Sequence, residues 1–190
     1  MTQKTAKRTG FALGVAIPAV IIAVILLLTS GGGGSARPKR PPPAKLPRLT
    51  QVYESRPIGV VGLIPRDWTA RRGSGFVRLA NTHGTALIVI QAQTNNLGTH
   101  ALMLSAVATL TKQRPGIKPR IALGDRLGGL PANQRVIYTR DARGVPIRIL
   151  VVGARGKHVG YVLEAITDRR ASLRDLEETQ EIVSILRLTG

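Results

Sequence analysis

Cysteine is absent from this 190-residue chain. That absence excludes a disulfide framework, a thiolate metal site and a lipid-bearing cysteine, and it suits an oxidising exterior. Aromatic residues are scarce, with one Trp, two Phe and three Tyr. Nucleic-acid binding draws on aromatic platforms among basic residues, so this chain offers charge alone for that role and nucleic acid is not an expected partner. Acids are few, ten against 28 Lys and Arg, and none of them lies in residues 1–48. The three histidines, His83, His100 and His158, have no second ligand at a metal-binding spacing such as His-Glu-x-x-His. No metal and no cofactor are expected.

What the chain does have is charge, and it is unevenly spread. The formal net charge is +18, of which residues 1–48 supply +8 and the remaining 142 residues +10. Such a balance attracts polyanions, including anionic lipid and acidic wall polymer, through a long-range field and counterion release. An arginine-rich genome produces the same excess with no ligand in view.

Residues 11–28, "FALGVAIPAVIIAVILLL", carry no charge. As a helix they reach about 28 Å, close to a bilayer core of about 30 Å. Pro18 is tolerable within such a helix. The apolar core of a cleaved signal peptide is shorter, about 7–15 residues. The expectation is an uncleaved anchor at 11–29, although a small-residue pattern ending at Ala36 offers a cleavage site. Lys4, Lys7 and Arg8 precede the span and argue for a cytoplasmic N-terminus at 1–10. Arg37, Lys39, Arg40, Lys45 and Arg48 come after it and vote the other way, but from behind an uncharged Gly-Ser stretch. The expected topology is N-terminus inside, folded domain outside.

Residues 30–49 read as a linker. Four glycines at 31–34 make a flexible joint, and Pro38, Pro41, Pro42, Pro43 and Pro47 stiffen the second half of the segment into an extended spacer. Its five cations, Arg37, Lys39, Arg40, Lys45 and Arg48, are candidates for lying on anionic headgroups, at about 1 kcal/mol each. They also serve simply to keep the linker soluble.

From residue 50 onward the pattern is that of a folded domain, 50–190. Strands are expected at 58–64, 75–80 and 85–93, the last apolar on both faces as a central strand is, with a hairpin turn at "NTHG". Thr99 reads as the N-cap of a helix carrying Leu102, Met103, Ala106, Val107 and Leu110, closed by Pro115-Gly116. An edge strand is expected in "GIKPRIAL" because of its internal Pro119. Three runs near 133–140, 145–154 and 157–166 then make an antiparallel meander. The last helix opens on a capping box, Ser172 with Asp175, and its expected apolar stripe is Leu173, Leu176, Val183 and Leu186. The order of three strands, helix, four strands and helix predicts an α+β domain. Its expected form is an antiparallel sheet flanked by helices, an α-β-α sandwich, preceded by one N-terminal transmembrane helix.

No catalytic constellation emerges. "VVGARGKHVG" at 151–160 fails as a phosphate loop, since only two residues separate Gly153 from Gly156 and His158 stands where Ser or Thr is required. Ser74, Ser105 and Ser184 lack a nucleophile-elbow context. The acids Glu54, Asp67, Asp125, Asp141 and Asp168 are scattered. Glu164, within an apolar strand, is the one candidate for burial. It is expected to pair with an arginine if it faces inward, a raised pKa being the functional exception. Tyr138 and Tyr161 alternate with core positions and read as packing residues.

The pieces "GVVGLIPRDW" (59–68), "LGGLPANQRVIYTR" (127–140) and "GYVLEAITD" (160–168), with a terminal helix ending "IVSILRL", resemble the PsbP-like superfamily. That superfamily includes the photosystem II extrinsic subunit and actinobacterial envelope lipoproteins. The matching points are Pro65 and Trp68, then Gly129, Pro131 and Ala132, then Tyr161 and Ser184-Ile185. The resemblance implies a sheet sandwiched by helices, generally without catalysis, acting as an accessory or binding module outside the cytoplasmic membrane. It implies no site residues. Trp68 and Pro131 read as core and turn. The chain departs from the lipoprotein members in lacking an acylated cysteine, for which the span at 11–28 substitutes.

Three functions compete. The first is a single-pass, membrane-anchored extracytoplasmic accessory protein of a bacterial, actinobacterial-type envelope, binding an envelope or membrane protein partner. The second is an electrostatic binder of anionic lipid or acidic wall polymer. The third is an enzyme using Glu164 or a histidine.

Overall fold

The structure is a computed structural model and describes residues 49–114, 117–122 and 124–189. The expected cytoplasmic segment 1–10, the membrane segment 11–29 and all of the linker 30–49 but Leu49 lie outside these residues.

The two-sided apolar run does form the middle of a sheet. Its strand, β5 (Ala86–Gln93), is buried over its first six residues. It is hydrogen-bonded to β4 (Phe76–Asn81) on one side and β10 (Gly160–Asp168) on the other. β3 (Trp68–Gly73) pairs outside β4 and is an edge strand. The meander β8 (Leu130–Arg140), β9 (Pro146–Arg155) and β10 folds back so that β10 meets β5. The two-residue strands β6 (Arg120–Ile121) and β7 (Arg126–Leu127) pair with β8. A second, three-stranded sheet has β2 (Val60–Ile64) between β1 (Gln51–Ser55) and β11 (Arg187–Leu188), with a 3-10 turn at Arg56–Ile58. All pairings are antiparallel.

Alternation along β10 sends its side chains into two cores. Val162 and Ile166 meet α1 (Thr99–Gln113), whose Leu102, Met103, Ala106, Val107 and Leu110 are buried against them. Tyr161, Leu163 and Ala165 meet the other face, covered by α2 (Leu173–Ile185) and the small sheet. Gly153 on β9 sets the distance of α1: a Cβ there would overlap the Thr99 carbonyl oxygen and the Met103 amide nitrogen. The α+β class is as expected, with one helix on each face of a curled antiparallel sheet.

Several local expectations give way. Thr99 is the first helical residue and Gly98 the N-cap, because the Thr99 hydroxyl accepts from Asn133 Nδ2 at 2.6 Å instead of capping. β1, β3 and β11 were not expected. Residues 69–73 of β3 are exposed, and without a buried face no alternation marks the strand. The edge strand around Pro119 shrinks to Arg120–Ile121. Pro131 lies within β8, the turn before it being Gly128–Gly129, whose φ angles of 60° and 88° favour glycine.

The buried face of α2 also differs from expectation. It consists of Asp175, Glu178, Thr179 and Ile182, while Leu173 is exposed and Leu176 and Val183 are half-buried; of the expected stripe only Leu186, the C-cap residue, is fully buried. The expected capping box is present, Ser172 Oγ accepting from Asp175 N at 3.1 Å and Asp175 Oδ2 from Ser172 N at 2.8 Å. The same carboxylate takes the Asn81 amide at 3.0 Å and the Thr85 hydroxyl at 3.1 Å. Glu178, fully buried, accepts from the Trp68 indole N–H at 2.8 Å and from Arg174 Nε at 2.7 Å. Trp68 is thus a core residue with a polar anchor. Acids that looked like helix-dipole residues in the sequence are the pegs that fasten α2 to β3 and β4.

Candidate functional site

Register places the site. Tyr138 on β8, Arg148 on β9 and Thr167 on β10 stand opposite one another, so their side chains share the face that α2 crosses. α2 covers only part of that face. On its β8–β9 side it leaves a trough made of two hollows, of about 500 and 450 Å³, with Arg148 lining both. One wall is helical: Leu176 borders the first hollow, and Gln180, Val183 and Ser184 border the second. The recurrence is that of one side of a helix.

Cations punctuate the trough. Arg140 and Arg169 line the first hollow, and Arg126 and Arg187 the second. Arg126 Nη1 donates to the Gly129 carbonyl at 3.3 Å. Arg187 Nη1 lies 3.9 Å from where a Cβ on Gly129 would be, so two guanidinium groups converge on that glycine. Arg148 and Arg187 have no ion pair among the described residues. The one acid of the lining, Asp168, is buried and engaged, its Oδ2 lying 2.6 Å from Arg170 Nη2 and its Oδ1 accepting from Arg170 N at 2.7 Å. Tyr138 is 57% exposed at the mouth, with the Arg120 guanidinium 5.6 Å from its ring centroid. The trough is therefore an elongated cationic groove with an apolar floor of Leu150 and Ala165 and an aromatic side chain at one end. It can hold anions by charge-assisted hydrogen bonds.

Glu164 lies elsewhere, on the α1 face, between Val89 of β5 and Val151 of β9. It is 3% exposed, and its Oε1 has no hydrogen-bond partner. Burial pushes its pKa up to about 7. The expected pairing with an arginine does not occur. Arg78 and Arg135 stand in the same cross-strand row, but Val89 and Val151 intervene, which puts each two strands, about 10 Å, away.

His83, His100 and His158 are exposed, on the β4–β5 turn, the first turn of α1 and the β9–β10 turn respectively. No cluster of three metal-ligating groups occurs among the described residues. The linker cations Arg37, Lys39, Arg40, Lys45 and Arg48 lie outside the described residues. Tyr161 is buried as expected, whereas Tyr138 is not a packing residue. Sequence reasoning missed the whole trough. The available signal was Arg148, a charge at an alternate position of β9 between buried Ile147 and Ile149.

No protein-family model matches the chain, and no curated protein does. Solved structures do match in fold. Cyanobacterial PsbP (CyanoP) from Synechocystis sp. PCC 6803 aligns at TM-score 0.53 and 11% identity, over 73% of this chain and 92% of its own. The Saccharomyces cerevisiae Ran-binding protein Mog1p aligns at TM-score 0.52 and 10% identity, over 73% and 94%. LpqN of Mycobacterium tuberculosis, involved in cell envelope biogenesis, aligns at TM-score 0.50 and 16% identity, over 69% and 83%. A Bacteroides thetaiotaomicron protein is matched over 49% of its length, at TM-score 0.48. The resemblance read from the sequence holds at the level of fold: the described residues have the PsbP-like fold.

Proposed function

From a PsbP-like fold as premise, we propose that this chain is a membrane-anchored accessory protein of a bacterial, actinobacterial-type envelope. Its folded domain stands outside the cytoplasmic membrane and binds a protein partner without catalysing a reaction. The observation that carries the binding part is the arginine trough beside α2, a concave surface in which Arg148 and Arg187 meet no carboxylate among the described residues. Its guanidinium groups suit the holding of an anionic ligand by charge-assisted hydrogen bonds. Glu164, whose pKa would suit acid–base work, is packed beneath α1 and lines neither hollow. Two fold relatives lend support: one is a Ran-binding protein and another is involved in cell envelope biogenesis. The anchor and the outward orientation rest on the apolar run 11–28 and the cations before it.

The test is cross-linking in intact cells that make the full chain, then denaturing purification and mass spectrometry. A single recurrent envelope or membrane protein, recovered in fixed proportion, is expected. Recovery of anionic lipid or wall polymer alone, lost when the five linker cations are neutralised, would establish the electrostatic reading instead.

A further inference from the structure

We propose that the trough is the docking site for an extended acidic segment of a partner protein, with carboxylates set along its arginines and one side chain laid on Tyr138. This rests on the binding-protein reading and names what the partner presents.

Three observations choose an acidic peptide over a compact anion. The first is spacing. Apart from the pair that meets at Gly129, the cations are spread out, running from Arg140 and Arg169, through Arg148, to Arg126 and Arg187. The α2 wall from Leu176 to Ser184 is about 12 Å long, and an extended chain at about 3.3 Å per residue lays four or five residues along it. The second is the helix field. The Arg126–Arg187 end lies by the C-terminus of α2, where the macrodipole is negative and opposes a lone phosphate seated there. Carboxylates spread along the groove meet that field at one end only. The third is composition. An exposed Tyr with a stacked Arg, beside further arginines and an apolar floor, is the residue set that carries binding energy at protein interfaces. The glutamine and serine side chains of α2 supply polar contacts along one wall. Two other places are weaker candidates. The space beside the Tyr161 hydroxyl, which has no hydrogen-bond partner, is satisfied by a water molecule as readily as by a ligand. Glu164 adjoins neither part of the trough.

The experiment measures fluorescence anisotropy of the full-length protein in detergent micelles. One probe is a labelled peptide of about six alternating Glu and Ala residues. A Gln-for-Glu peptide is its control, and glycerol phosphate is the competitor. The acidic peptide is expected to bind at least about tenfold more tightly than the Gln peptide. Arg148→Gln and Tyr138→Ala should each weaken it several-fold, while Arg71→Gln, on the opposite face of the sheet, should not. Arg126→Gln, an exposed position, provides a second trough variant should Arg148→Gln fail to fold by circular dichroism. Equal weakening by Arg71→Gln and the trough variants would overturn the proposal in favour of diffuse charge. Binding of glycerol phosphate that depends on Arg148, without peptide binding, would overturn it in favour of a headgroup or polymer phosphate. A cellular partner still cross-linked by the Arg148→Gln, Arg187→Gln double variant would remove the trough as the dock while leaving the binding-protein reading intact.

Discussion

Glu164 is the residue whose chemistry is most displaced from its ordinary state. Its carboxyl is buried between two valines with no ion pair, and its pKa rises from 4.5 to about 7. Between those values the folded chain holds a proton that the unfolded chain has lost. The contribution of Glu164 to stability therefore falls as pH rises from about 4.5 to about 7 and is flat on either side, a loss of about 3 kcal/mol. Urea unfolding of Glu164→Gln should show that slope removed, with the variant more stable than the parent at about pH 8 and level with it at about pH 4. Persistence of the slope would place its origin in another group. Asp175 behaves oppositely. Burial alone would raise its pKa, but hydrogen bonds from Ser172, Asn81 and Thr85 more than offset this and hold it below the usual carboxylate value. Trp68→Phe removes the indole donor that Glu178 accepts and is expected to cost about 1–3 kcal/mol, measured as a shift in denaturation midpoint. Glu164 stood out in the sequence because a lone acid breaks the apolar run of its strand. Which arginine it would meet was not legible, since that depends on register across three strands.

The same divide runs through the elements. α1 and β5 were readable because period 3.6 and a two-sided apolar run each encode burial directly. α2 was readable as a helix, cap included, but its orientation only in part: Leu186 is buried as its hydrophobicity suggests, yet the buried stripe within the helix is Asp175, Glu178, Thr179 and Ile182. The distinction bears on the site, because the turn of α2 about its axis decides that Gln180, Val183 and Ser184 line the trough. α1 has a tighter constraint. With Gly153 beneath Thr99 and Met103, Gly153→Ala must lift the helix from β9, and a destabilisation of about 1–3 kcal/mol is expected by thermal or urea unfolding. Gly144→Ala, at a turn with open space and φ 78°, bears only the backbone strain of that conformation and should cost less.

At the scale of the molecule, charge and topology act separately. Residues 1–48 carry +8 and the rest +10, yet the arginines of the trough are assembled from strands and helix distant in the sequence, so composition reported the excess and not its concentration. Binding of a chain lacking residues 1–29 to anionic vesicles should weaken steeply with salt. Neutralising Arg37, Lys39, Arg40, Lys45 and Arg48 should reduce it by about 1 kcal/mol per residue, read by vesicle co-sedimentation, with peptide binding in the trough unchanged. The fold class was legible from the run of strands and helices, whereas the return of β10 to β5 was not, being a pairing between segments joined through α1 and the meander. That topology also has a temporal side. Trp68 and Glu178 are 110 residues apart, and Asn81 and Asp175 are 94 apart. At about 5–20 residues per second, the ribosome takes roughly 5 to 20 seconds between making the indole and making its acceptor. Through that interval β3 and β4 exist as nascent chain without the helix that fastens them, and a chaperone has an opportunity there.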